Sequence, residues 1–103
     1  MINLTKSNFD SEVLKYGGKV LVDFYAPWCA ECNALSPVLD KVSQKTDDVK
    51  FCSFNCDEAR DFVVELGIMS IPSLFLFENG KLIDKKTGIL EENEIIKLIK
   101  AGV

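Results

Sequence analysis

Two cysteines three positions apart, in Trp28-Cys29-Ala30-Glu31-Cys32, are the part of this sequence best equipped for chemistry. The reaction that suits them is thiol–disulfide exchange. Only a thiolate attacks a disulfide, and at a reference pKa of ~8.5 about 3% of a cysteine is ionised at pH 7, against half at a pKa of ~7. The first turn of a helix offers free N–H groups and a positive dipole end, which favour an anion. Asn33 to Lys45 has helical spacing, so Cys29 stands at a helix tip and Cys32 one turn further in. From there Cys32 is near enough to attack a mixed disulfide on Cys29 and release the product. Pro27 and Trp28 limit the mobility of Cys29. As packing alone, such a pair is two small hydrophobes, but the strand–proline–tryptophan–helix setting favours the reactive reading.

Asp23 is the second signal. It interrupts the apolar run Val20 to Tyr25, where a carboxylate loses hydration and its pKa should rise. Near Cys32 it could take that thiol's proton and return it in the reverse direction; the plainer alternative is an aspartate at an edge or hydrogen-bonded in the core. Ile71-Pro72 is the third, since a proline entering a strand blocks a ladder hydrogen bond and is a candidate for the cis form.

These residues need elements to position them. Ile2 to Leu4 reads as a short strand. Thr5 or Ser7 caps a first helix with Phe9, Val13 and Leu14 inward, and Gly17-Gly18 ends it. The strand begun by Lys19 is apolar on both faces, as expected of one covered by helices on each side. The helix after the cysteines runs to about Thr46, with Leu35, Val38, Leu39 and Val42 as its stripe and Pro37 as an internal kink. A strand at Phe51 to Cys56 and a helix from Asp57 or Asp61 to Leu66 follow, stopped by Gly67. Leu74 to Phe77, the turn Glu78-Asn79-Gly80-Lys81 and Leu82 to Thr87 form a hairpin, and Glu91 to Lys100 a last helix. The order β-α-β-α-β-α-β-β-α predicts an α/β fold of three layers. Its mixed sheet has about five strands, flanked by about four helices and antiparallel at one edge.

The totals bound the remaining readings. A chain of 103 residues, 48% hydrophobic, is expected to be one domain with its own core, spanning 1–103. A net charge of −4, from 12 basic and 16 acidic residues, argues against nucleic acid as a partner. No apolar run has membrane length and no leader pattern precedes the domain, so no membrane partner and a cytosolic setting are expected. There, four cysteines are a poor disulfide framework. Cys52 and Cys56 share a strand face with Phe54, and four steps of ~3.3 Å put them about 13 Å apart, too far for a mutual disulfide. The same stretch keeps both sulfurs from one zinc ion, disfavouring a four-cysteine metal module. They read as core fillers, with a regulatory thiol at Cys56 as the alternative.

The sequence resembles the thioredoxin family. The matching residues are Val22-Asp23-Phe24-Tyr25-Ala26-Pro27-Trp28-Cys29, Cys32, Pro37, Gly67-Ile68, Ile71-Pro72-Ser73-Leu74, Phe77-Glu78-Asn79-Gly80-Lys81 and Lys86-Thr87-Gly88. The resemblance implies a protein-disulfide reductase with Cys29 as exposed nucleophile, Cys32 as buried resolving thiol and Asp23 as proton carrier. It further implies a cis Pro72 facing the pair, and a docking surface of Trp28, Ile71, Pro72, Thr87, Gly88 and Ile89. No bound cofactor is expected; electrons would come from a thioredoxin reductase, usually an NADPH-dependent flavoprotein, and pass to disulfide-containing proteins. A monomer is expected. Two departures stand out: Ala30-Glu31 replaces the usual Gly-Pro between the cysteines, and Ser53 stands where many relatives place a lysine near the buried aspartate. The runner-up is an oxidant or isomerase of the same fold, disfavoured by the absence of histidine.

Overall fold

The computed structural model describes residues 1–101. Five strands form one mixed sheet in the order β1-β3-β2-β4-β5: β1 (Ile2–Leu4), β2 (Lys19–Tyr25), β3 (Val49–Asn55), β4 (Ser73–Glu78) and β5 (Lys81–Thr87). β1, β3 and β2 run parallel, while β4 and β5 are antiparallel additions. β2 is thus the middle strand, and its run of buried residues reflects helical cover on both sides.

Strand alternation divides the core in two. Leu21, Phe51, Leu74 and Leu76 face α1 (Ala30–Gln44) and α3 (Glu92–Ile99), meeting Leu35, Leu39, Val42, Ile95 and Leu98. On the opposite face Val20, Val22, Phe24, Phe54 and Phe75 meet Phe9, Val13 and Val63, the last from α2 (Arg60–Glu65). Phe9 sits at the centre of that layer, edge-on to Phe62 at 5.1 Å between ring centroids. The expected three-layer α/β/α sandwich is therefore present, with three α-helices among the described residues rather than about four.

The missing helix is a π-helical turn, Asp10–Leu14. Thr5 and Asn8 cap the segment reciprocally: the Thr5 N–H donates to Asn8 Oδ1 at 2.6 Å and the Asn8 N–H to Thr5 Oγ1 at 3.3 Å. Phe9 and Val13 point inward as expected, but Leu14 is 41% exposed because the wider turn rotates it off the buried face. α1 stops at Gln44, two residues short of expectation. β3 begins and ends earlier than its apolar run suggested, leaving Cys56 in a 3-10 turn, Cys56–Glu58. Cys52 and Cys56 still pack in the same core as Phe54, on the sheet face away from Leu21 and α1.

Gly67 ends α2 as expected. At φ +79° it sets up paired closing bonds, Gly67 N–H to the Val64 carbonyl (2.9 Å) and Ile68 N–H to the Val63 carbonyl (3.3 Å). In the hairpin, Asn79 (φ 52°) and Gly80 (φ 82°) both adopt the left-handed conformation that a tight two-residue turn needs. Among the described residues no helix is long and apolar enough to cross a membrane.

Candidate active site

β2 delivers the chain from the core to Pro27 and Trp28, and α1 begins at Ala30 with Cys29 as its N-cap. Cys29 is extended (φ −86°, ψ 111°), which turns its side chain back over the first helical turn. There Sγ accepts the Cys32 N–H at 3.2 Å, the hydrogen bond a side chain at this position makes to an otherwise unpartnered helix donor. The Cys32 side chain packs next to Cys29. Both cysteines are free and, with Ala26, form a small core against Tyr25 and Ile71.

Cys29 is only 8% exposed, less than its expected role as an open nucleophile suggested. The cap geometry explains this, since a side chain folded onto its own helix tip presents little area. On its far side the Ile71 carbonyl lies 4.0 Å from Sγ. Cys32 is deeper, and its thiol is pushed well up from its usual range by burial first and the Cys29 hydrogen bond second.

Asp23 lies on the β2 face that looks toward α1, in register with Ser53 of β3. It is 4% exposed, and burial alone raises its carboxyl from 3.8 to about 7. Asp23 and Cys32 line one small cavity, so the sequence-predicted carboxyl and resolving thiol do share a site. Ser53 brings no cation to it; its Oγ instead donates to Asn3 Oδ1 at 3.2 Å.

The Ile71–Pro72 bond is cis. Pro72 is buried, and its carbonyl accepts the Gly88 N–H at 2.9 Å. Ser73 pairs with Thr87 across β4 and β5. These bonds bring Thr87, Gly88 and Ile89 beside Pro72, with Ile89 57% exposed. Trp28 is 70% exposed on the other flank. Ala30 and Glu31 occupy the outer side of the first turn of α1, both exposed.

Sequence reasoning missed two residues here. Asp57, expected only as a possible helix start, accepts the Trp28 indole N–H at 2.9 and 3.2 Å on its two oxygens, anchoring the exposed ring. Nothing local in the sequence marks that contact, because 29 residues separate the partners. Ser36, one turn beyond Cys32, lines the Asp23 cavity; its i, i+4 spacing from Cys32 was the available signal.

Comparison with known proteins gives a consistent result. The thioredoxin family model matches residues 1–101. The chain is similar to a thioredoxin of Pseudomonas aeruginosa, 36% identical with all of this chain and 96% of the relative covered. It is also similar to thioredoxins of Rickettsia bellii and Rickettsia prowazekii, at 38% and 39% identity with 98% of this chain and 97% of each relative covered. Matches of that identity, sustained along almost the full length on both sides, extend the agreement well beyond the cysteine motif: the chain belongs to the thioredoxin family.

Proposed function

We propose that this chain is a protein-disulfide reductase working through the Cys29/Cys32 dithiol. The observation that carries the reading is Cys29 Sγ, held on a helix tip by the Cys32 N–H while the Cys32 thiol waits beside it and beside buried Asp23. The Cys29 thiolate attacks one sulfur of a target disulfide. That S–S bond breaks, one target thiolate leaves, and a mixed disulfide forms on Cys29. Cys32 then passes its proton to the Asp23 carboxylate and attacks Cys29 Sγ. The second target thiolate departs, and a Cys29–Cys32 disulfide remains, so two electrons have gone to the target. A carboxyl near 7 accepts and returns a proton with similar ease at neutral pH.

Trp28, Ile71, Pro72, Thr87, Gly88 and Ile89 form the docking surface for an extended segment of the target, with Pro27, Ala30 and Glu31 shaping the loop around the pair. The chain carries no cofactor of its own for this cycle. A thioredoxin reductase returns the electrons, disulfide-containing proteins receive them, and a monomer in the cytoplasm is the working form.

A disulfide-reduction assay with a dithiol donor tests the roles. Cys29→Ser should abolish turnover, whereas Cys32→Ser should accumulate covalently trapped targets. A Cys32→Ser protein that traps nothing yet still turns over would overturn the assignment.

A further inference from the structure

Asp23, Ser53 and Asn3 stand in a row across three neighbouring strands, Asp23 in register with Ser53 and Ser53 with Asn3. The row lies on the sheet face covered by α1, an interruption in an otherwise apolar layer. Among the described residues no protein donor reaches Asp23 Oδ1, although the atom is buried. A buried carboxyl oxygen without a partner is costly, so its surroundings should supply a donor. They contain a cavity of about 220 Å³ bounded by Asp23, Tyr25, Cys32, Ser36 and Ser53. Met1 and Asn33, both exposed, form its mouth, so it opens to solvent. A water needs roughly 10–15 Å³ of accessible space and two to four polar partners, and this cavity offers both several times over.

We propose that Ser53 and Ser36 are positioning residues for proton transfer, their hydroxyls holding the water chain through which Asp23 exchanges its proton with solvent. The proposal rests on Asp23 as the proton carrier of the resolving step. In that step the Cys32 proton moves to the Asp23 carboxylate as the Cys29–target S–S bond breaks and the Cys29–Cys32 bond forms. Only an ionised Asp23 can take that proton, so near pH 7 a protonated carboxyl must first lose its own proton to solvent before the mixed disulfide decays, and the departing target thiolate gains one from solvent. The Ser53 hydroxyl gives its proton to Asn3 and so anchors a water by accepting from it, while the Ser36 hydroxyl can both donate and accept along the chain. The titratable groups nearest Asp23 are Cys32 of α1 and Tyr25 on its own strand, with Cys56 on the other face of the sheet; burial holds all three protonated at neutral pH, and Met1, which carries the α-amino group, stands at the cavity mouth, so the way to solvent runs through the cavity.

The test follows formation and decay of the mixed disulfide between the reduced full chain and a disulfide-bonded peptide, by rapid acid quench and mass measurement from pH 6 to 9. Ser53→Val should slow decay about tenfold at pH 7, the scale of one lost hydrogen bond, and change its pH profile, with formation unaltered. Ser53→Thr, which restores the hydroxyl, should return both rate and profile. Ser36→Ala should slow decay in the same sense, and alanine on a helix keeps that variant folded. Equal behaviour of Ser53→Val and Ser53→Thr, or unaltered decay in Ser36→Ala, would overturn the proposal. A wild-type chain that forms no mixed disulfide would instead sink the reductase reading beneath it.

Discussion

Asp23 makes this protein's stability depend on pH in a way that one substitution should erase. In the unfolded chain its carboxyl titrates at the ordinary value of 3.8, and in the folded chain at about 7. Between those values the native state holds a proton that the unfolded state has lost, so stability falls as pH rises through the window. The gap is about 3 on the pH scale, at about 1.36 kcal/mol each, giving a penalty of about 4 kcal/mol above pH 7 and none below pH 3.8. Asp23→Asn keeps the size of the protonated carboxyl without its charge. The variant should match the reduced wild type near pH 4 and exceed it by an amount that grows to about 4 kcal/mol by pH 8, then levels off. Urea unfolding of both reduced proteins across pH 4 to 9 measures this directly, since groups common to both cancel in the difference. A difference that stays constant over the range would mean that Asp23 ionises in the fold as it does in water, and its desolvation would be discarded as the basis of its chemistry.

Two further perturbations probe the frame around the pair. Asp57→Ala removes the acceptor of the Trp28 indole, an exposed hydrogen bond worth about 1 kcal/mol, so Trp28 should gain mobility. Fluorescence anisotropy reads this without interference because Trp28 is the single tryptophan, and unchanged anisotropy would dismiss the contact. Gly80→Ala should cost more than about 2 kcal/mol in urea unfolding, because φ is +82° there and an added Cβ would run into the Leu14 carbonyl oxygen. A loss below about 1 kcal/mol would show that the turn relaxes around the new atom.

Much of this architecture is written in local pattern. The apolar run at Val20 to Tyr25, the breaks at Gly17-Gly18 and Gly67 and the Asn79-Gly80 turn act through nearest-neighbour stereochemistry, so they are readable from a few residues at a time. The helix tip at Cys29 is local too, since an N-cap is made by the side chain and the next turn. What needed the folded chain was everything set by pairing and packing. Leu14 turned outward because a π turn replaced the expected α-helix. Cys56 left its strand at the point where β2, which pairs Tyr25 with Asn55, also ends. Asp57 met Trp28 across 29 residues. Composition could say that Asp23 was out of place in its strand. Only the register that sets it against Ser53, beneath Cys32 and Ser36, decided that its buried oxygen faces a polar cavity, because strand pairing and helix docking choose neighbours that no short stretch of sequence contains.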